Sequence, residues 1–158
     1  MCVTVRLRLP DYLKKWIVFR MGGVEPVEFP KGSPYNHLLR MFLRPKRERD
    51  SWVAKGDDTV DIVIPHFPGK RPETHNYLPH GARVNLADLI RDSFDLQLWS
   101  DFAPLKASPA RAKDIVMTWM EENGIDVSDR NFEAVMKRLK ILKRREAYRE
   151  SKRRRGEL

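Results

Sequence analysis

The apolar pattern near the end of the chain stops well before the chain does. Between Phe132 and Leu142 the apolar residues follow the three-and-four spacing of an amphipathic helix. Beyond Leu142, and before the last residue, only Ala147 and Tyr148 are apolar. A helix over residues 129–150 has 22 residues and would be roughly 33 Å long, yet it can bury only its first half. We therefore expect a helix whose second half projects as a basic rod or frays.

The excess charge of the chain lies in the same region. The whole chain has a formal charge of +9 at pH 7, and residues 137–155 alone hold 11 − 2 = +9, so the other residues sum to zero. A charge excess gathered in one terminal segment is typical of elements that bind polyanions. We predict that the basic side chains of this segment contact nucleic acid: Lys137, Arg138, Lys140, Lys143, Arg144, Arg145, Arg149, Lys152, Arg153, Arg154 and Arg155.

The part of this helix that packs on the core restricts which cations make oriented contacts. Lys137, Arg138 and Lys140 lie within the apolar stretch, so we expect them at fixed positions. Arg149 to Arg155 lie beyond it and should supply unspecific attraction. The alternative interpretations are a solubilising tail, or a helix end whose cations merely complement the helix dipole.

Cysteine content and hydropathy limit which cellular compartments suit this chain. A single cysteine, Cys2, excludes an intramolecular disulfide and a multi-cysteine zinc site, which is typical of a reducing compartment. The N-terminal residues interleave charge with apolar side chains, unlike a secretory signal. No apolar run approaches the roughly 18 residues that a spanning helix needs. We expect a cytoplasmic protein without a membrane segment.

Two segments alternate apolar and polar residues with the period of a half-buried strand. They are Val3–Leu9 and Thr59–Ile64. A third segment, Glu25–Phe29, is too short and too rich in proline to be more than an edge strand. We expect a small sheet built from these strands.

Capping residues and prolines indicate where helices begin and end. The expected helix starts lie at Asp11, at Ser33-Pro34, at Asn85, at Ser108-Pro109, and at Ser128 or Asp126. Between them, Arg44–Asp50 reads as a solvated, mostly basic connector, and residues 65–83 as a long loop punctuated by Pro and Gly.

These elements predict an α+β fold. It has a small N-terminal sheet with short helices, and a C-terminal three-helix segment that ends in the projecting basic helix. We expect one globular domain over residues 1–142, with a helical sub-region over 85–142. Residues 143–158 form a basic helical extension or tail.

The last two expected helices are joined by Gly124–Val127. Two helices around a glycine turn, with a basic second helix, resemble a helix-turn-helix, in which the second helix enters the major groove. Trp119 and Met120, however, stand where smaller side chains usually allow close crossing. We describe this part as helix-turn-helix-like and favour an ordinary helical hairpin.

The start of the chain resembles the ribbon-helix-helix family of DNA-binding proteins. The resemblance is carried by residues 5–11, a strand followed by Pro-Asp and a short amphipathic helix, and it covers about the first 43 residues. Residues 22–32 depart from the family, because a Pro-containing connection replaces its tight turn. The alternative is a core strand with its polar side exposed. The resemblance implies a dimer whose exposed strand residues read the major groove, a role that falls on Thr4, Arg6 and Arg8.

Part of the long loop mixes cations with aromatic and amide side chains. Residues 70–77 include Lys70, Arg71 and Tyr77, and this mixture suits single strands and RNA loops. The alternative is a surface loop pinned by prolines. Five residues outside the basic segment are candidate secondary contacts: Arg6, Arg8, Lys70, Arg71 and Tyr77.

No motif indicates catalysis, a metal or a cofactor. The four histidines lack the cysteine or glutamate framing of a zinc site. Asp57, Asp58 and Asp61 could hold magnesium, but two of them lie in a turn where Asp commonly caps. The chain has no phosphate-binding glycine loop and no nucleophile elbow. We predict a non-catalytic protein that binds neither metal nor cofactor.

The sequence therefore predicts a DNA-binding protein that contacts phosphates through its basic C-terminal helix, as a regulator or an accessory factor of a mobile element. The expected partner is double-stranded DNA, and a homodimer is a candidate assembly. One alternative is an RNA-binding module that uses the Tyr77 loop as a base platform. Another is an interaction or assembly protein whose basic tail binds an acidic partner.

Overall fold

In the computed structural model, which describes residues 2–157, the chain forms two β-strands and five α-helices. This is the predicted α+β fold, with the small sheet in the first half and most of the helices after it. The elements are β1 (Thr4–Arg8), α1 (Asp11–Arg20), α2 (Pro34–Phe42), β2 (Thr59–Val63), α3 (His80–Phe102), α4 (Ala112–Glu122) and α5 (Asp129–Arg154), with a 3₁₀ turn at Ala103–Leu105.

The chain divides into two compact units, Met1–Asp92 and Ser93–Leu158, and α3 contributes to both. The predicted boundary between residues 142 and 143 stays a prediction. Met1 and Leu158, at which the predicted segments begin and end, lie outside the described residues.

The sheet of the first unit is an antiparallel pair with one buried face. Val5 lies opposite Ile62, and Leu7 lies opposite Val60. All four side chains are buried, which explains the two-residue alternation of the sequence. Val27 adds a single parallel bridge to Ile62, so the segment around it is an edge, as its prolines predict.

β1 has its partner strand in the same chain, and carboxylates engage its polar side. Arg6 lies opposite Asp61, and its Nε donates to Asp61 Oδ1 at 2.8 Å. Arg8 Nη1 donates to both carboxylate oxygens of Asp58, at 2.9 and 2.7 Å. Two of the three side chains that the ribbon-helix-helix resemblance assigns to a DNA groove are thus engaged inside the chain. This pairing favours the alternative, a core strand with a polar outer side.

The start of α2 confirms the Ser-Pro prediction. Ser33 Oγ accepts the N–H of Asn36 at 3.3 Å, and Pro34 is the first helical residue. Asn36 is buried, and its side-chain amide donates to two carbonyl oxygens of the preceding segment, Phe29 O and Pro30 O, both at 3.1 Å. The cap and the amide together fix how the chain enters α2.

Two helices begin at or before the residue that was predicted to cap them. α1 begins at Asp11 itself, so Pro10 and not Asp11 is the residue that caps it. α3 begins at His80, and Asn85, the predicted cap, lies inside it. The physical reason is that Pro10 and Pro79 hold the backbone dihedral φ close to its helical value, so each proline leads directly into a helix.

α4 begins later than predicted. The hydroxyl of Ser108 accepts the N–H of Ala110 at 3.2 Å, which closes a local turn. The helix starts only at Ala112, with Arg111 as its cap. Ser108 therefore stabilises a turn before the helix, because a serine hydroxyl can serve a turn as readily as a helix start.

The second unit packs the end of α3 against α4 and the first half of α5. Phe94 and Trp119 meet edge to face, with ring centroids 5.5 Å apart. The indole Nε1 of Trp119 donates to Asp101 Oδ2 at 2.9 Å, so the one polar atom of this buried ring is satisfied. Leu98 and Val116 are also buried in this core.

A glycine ends α4 and turns the chain toward α5. Gly124 has φ +74°, in the left-handed region that disfavours a side chain. The Ile125 N–H donates to Met120 O at 2.9 Å, and the Gly124 N–H donates to Glu121 O at 3.4 Å. These two bonds form a Schellman motif, and the buried side chain of Ile125 completes it.

The connection from α4 to α5 is longer than that of a helix-turn-helix. Six residues, 123–128, separate the two helices, whereas a helix-turn-helix typically uses three or four. This length favours the ordinary helical hairpin.

Replacing Gly124 by alanine should destabilise the fold by about 1 kcal/mol or more, because alanine is strained at positive φ. Gly81 is the matched control: it lies in the first turn of α3, and a Cβ added there meets nothing within 4 Å. Gly81→Ala should stabilise by roughly 0.4–1 kcal/mol. Urea unfolding followed by circular dichroism measures both variants, and effects of the same sign would contradict the expectation.

Candidate nucleic-acid interface

Local hydrogen bonds fix the start of α5. Ser128 Oγ accepts the N–H of Asn131 at 3.1 Å, which confirms Ser128 as the cap. The buried side-chain amide of Asn131 donates to the backbone oxygen and to Oδ1 of Asp126, both at 3.2 Å. The chain around the cap is therefore held from both sides of the helix start.

α5 is longer than its buried part. It has 26 residues, which is roughly 39 Å, and it continues to Arg154 where the sequence predicts an end near residue 150. Val135 and Leu139 are fully buried, and no described side chain after Leu139 is buried. The predicted half-buried helix is thus present, and its second half is helical.

A buried ion pair attaches α5 to α3 within the second unit. Arg138 Nε donates to Asp95 Oδ1 at 3.0 Å, and Arg138 Nη2 donates to Asp95 Oδ2 at 2.5 Å. The two side chains are only 16% and 7% exposed. Arg138 was predicted as an oriented phosphate contact, and the structure instead places it in a bidentate pair with a carboxylate. An acid beside Phe94 in the apolar face of α3 is the sequence signal for such a partner.

Removing Asp95 should cost roughly 3 kcal/mol or more of folding free energy, because the Arg138 charge would stay buried without its partner. Lys137→Ala, an exposed neighbour on the same helix, should change stability by less than about 0.5 kcal/mol. The measurement is urea unfolding of Asp95→Ala and Lys137→Ala. Adding Arg138→Met to an Asp95→Leu variant should restore most of the loss, and a stable Asp95→Ala protein would contradict this role.

From residue 137 to residue 154, one side of α5 presents cations without acids. Since each helical residue advances by about 100°, positions 137, 140, 144, 148 and 151 fall within one sector of roughly 80°. All five side chains are exposed. We call this row the outer stripe: Lys137, Lys140, Arg144, Tyr148 and Ser151.

The acids of the basic segment lie on the opposite side of α5. Glu146 and Glu150 continue the row of Val135 and Leu139, which is the side turned to the core. The positive charges of the outer stripe are therefore not interrupted by carboxylates along residues 137–154. This asymmetry cannot be read from the composition, because it depends on helical phase.

Most other basic side chains of α5 are exposed as well. Lys143 lies over the ring of Phe102, 4.9 Å from its centroid, and Lys152 lies 5.0 Å from that of Tyr148. Arg155 pairs with Glu157 at 3.5 Å. Within residues 2–157, no ion pair engages the remaining predicted contacts: Lys137, Lys140, Arg144, Arg145, Arg149, Arg153 and Arg154.

The predicted secondary contacts in the long loop have different surroundings. Lys70 Nζ donates to the C-terminal carbonyls of α2, at 2.5 Å to Arg40 O and 3.1 Å to Leu43 O, so it caps that helix. Arg71 is exposed beside Glu73.

Tyr77 is buried, with 7% of its surface exposed. The guanidinium of Arg44 lies 4.8 Å from its ring centroid, and the two residues also form a backbone bridge. Tyr77 therefore packs inside the first unit and does not present its ring to a ligand. The RNA-binding alternative requires an exposed ring at this position.

The structure reveals an ordered loop where the sequence indicated only a solvated connector. Arg44 donates to both carboxylate oxygens of Asp50, at 2.6 and 3.1 Å, and the Arg47 N–H donates to Asp50 Oδ2 at 2.7 Å. Trp52 follows this turn with 59% of its surface exposed. The sequence signal for this loop is an aromatic residue that follows a run of cations. Residues 70–77 show the same pattern.

Stability of this loop should depend on pH through Asp50. Its hydrogen bonds from Arg44 and from the Arg47 amide hold the pKa of Asp50 well below its ordinary value. A carboxyl whose pKa is lowered by folding stabilises the fold above its unfolded pKa, about 3.9, and loses this effect as the pH falls below it.

Asp50→Asn should therefore lower the melting temperature at pH 7, and the difference from the unmodified protein should shrink as the pH falls from about 4 toward 2. Thermal melts across this range measure it. Glu48→Gln, at an exposed carboxylate of the same turn, is the control and should show no such difference at any pH. A constant Asp50→Asn effect across this range would contradict the assignment.

Two other features are absent from the described residues. No group of three or more His, Cys, Asp or Glu side chains is placed to hold a metal ion there. No helix in the same part of the chain is long and apolar enough to cross a membrane.

No protein-family model matches the chain, and neither a curated protein nor a solved structure matches it.

Proposed function

We propose that this protein binds double-stranded DNA without catalysing a reaction on it, and that α5 makes the contact. One observation carries the proposal. The outer stripe presents Lys137, Lys140 and Arg144 to solvent on a side of the helix that bears no acid over residues 137–154. A linear row of unpaired cations is complementary to the regular charge of a nucleic acid backbone.

The dimensions of α5 suit this contact. Lys137 and Arg144 are seven residues apart, which is roughly 10 Å along the helix axis. Duplex DNA carries one phosphate about every 3.4 Å along each strand, so several phosphates lie within reach of these side chains. A helix with its side chains is about 10–12 Å wide, close to the width of the major groove.

The attachment of α5 makes the stripe more than a flexible tail. Val135 and Leu139 are buried and Arg138 is paired with Asp95, so Lys137 and Lys140 leave a helical turn that is fixed on the second unit. Ordered cations lose less conformational entropy on binding than those of a free tail. We assign to the more distal arginines the unspecific part of the attraction.

The test is a salt titration of duplex binding. Replacing Lys137, Lys140 and Arg144 by glutamine, which preserves helix propensity, removes three charges. If each contacts a phosphate, the slope of log K against log salt should become less steep by roughly 2.7, about 0.9 for each contact. Fluorescence anisotropy of a labelled duplex between about 50 and 200 mM salt measures the slope.

A second triple variant separates the stripe from net charge. Lys31, Arg40 and Lys113 are exposed cations outside α5, and their replacement by glutamine lowers the net charge equally. This control should leave the slope nearly unchanged. Equal slopes for the two variants, or no binding of the intact chain at about 50 mM salt, would overturn the proposal.

A further inference from the structure

Trp52 in the first unit is a large aromatic side chain that the fold does not cover. It is 59% exposed, whereas Trp16 and Trp119 are buried and Trp99 is half-buried. Its ring meets the buried Tyr77 edge-on, with centroids 5.8 Å apart. One side of the indole is therefore supported by the core while much of its surface stays open to solvent.

The loop that carries Trp52 is held in place. Asp50 accepts hydrogen bonds from the side chain of Arg44 and from the backbone of Arg47. Arg44 also pairs with Tyr77 through two backbone hydrogen bonds of 3.0 Å. Trp52 thus follows a turn that is tied to the same tyrosine on which its ring rests, so its position is set before a ligand arrives.

Unfilled space lies beside the ring. Trp52 lines two hollows of the first unit, of about 170 and 440 Å³, and Arg83 lines both. The smaller one also contains polar side chains, among them Thr4 and Asn76. A flat ring placed against the indole would find room and hydrogen-bonding groups in these hollows.

One cation lies over the exposed indole, and two more stand close to it in the chain. Lys46 Nζ lies 5.7 Å from its centroid, and its chain neighbours Arg47 and Arg49 are exposed. Glu48 is the one acid of this turn without a basic partner among the described residues, because Asp50 is paired with Arg44. The arrangement joins an aromatic face to a local excess of positive charge, which suits a base attached to a phosphate.

We propose that Trp52 stacks on an unpaired nucleobase of single-stranded DNA while Lys46, Arg47 and Arg49 contact its phosphates. A base within a duplex has both faces covered by its neighbours, so a ring fixed on a folded unit can stack only on an unpaired one. The inference rests on the proposed function in one respect, that the ligand is a nucleic acid. It adds a second site, which lies in the other unit and binds single-stranded instead of double-stranded DNA.

The test uses the full chain and a fifteen-residue oligothymidine. Stacking should quench the tryptophan emission, and Trp52→Ala should weaken binding by about tenfold, within the range for one stacked base. Trp52→Phe keeps a ring that can stack on a base and meet Tyr77 edge-on. It should bind within about threefold of the unmodified chain but lose most of the quenching.

Two controls isolate the ring from charge and from folding. Phe19 is an exposed aromatic residue of the same unit, 50% exposed, and Phe19→Ala should leave oligothymidine binding unchanged. An abasic strand with the same number of phosphates should bind the unmodified chain and Trp52→Ala equally. Circular dichroism and the Trp52→Phe variant show whether a loss in Trp52→Ala comes from unfolding.

The outcomes separate this inference from the proposed function. If Trp52→Ala and Phe19→Ala bind oligothymidine alike, or if binding leaves the emission of the unmodified chain unchanged, the stacking site is refuted while duplex binding by α5 can stand. If glutamine at Lys137, Lys140 and Arg144 leaves duplex binding unchanged but Trp52→Ala weakens oligothymidine binding, the α5 proposal fails and the stacking site stands.

Discussion

The attachment of the first half of α5 decides where the charge of this protein can act. Val135 and Leu139 bury one side of the helix, and the ion pair between Arg138 and Asp95 ties the neighbouring turn to α3. An α-helix is stiff over a few tens of ångströms, so fixing its first turns sets the direction and the helical phase of the rest. The exposed row from Lys137 to Arg144 follows from that phase, as does the position of Glu146 on the inner side.

The basic residues of the chain serve two physical roles, and carboxylate partners distinguish them. Arg6, Arg8, Arg44 and Arg138 each have an acid within ion-pair distance and stabilise a strand pair, a turn or a helix contact. The cations of the outer stripe have no such partner among the described residues. Net charge alone does not show this division, because a paired arginine contributes little field at a distance while an unpaired one attracts an anion.

The strand pattern and the helical character of the second half were predictable, because burial of one face imposes a period of two or of 3.6. Three predicted caps do not cap a helix: Asp11, Asn85 and Ser108. In each case a nearby proline begins the helix earlier, or a local turn uses the side chain. The basic helix of the candidate site was predicted, whereas the loop that carries Trp52 was not. Its order comes from a salt bridge and an aromatic contact with Tyr77, far along the chain.

By itself, the sequence determined the α+β composition of the fold, the amphipathic start of the last helix and the placement of all excess charge in residues 137–155. Those properties are local, since they depend on residue type and on spacing within one element. Only the tertiary structure decided that Arg138 pairs with Asp95 whereas Lys137 has no ion pair among the described residues. It also decided that Tyr77 is buried and that Trp52 is exposed. These outcomes depend on which side chain meets which across tens of residues, and the chemistry of a residue alone does not specify its partner.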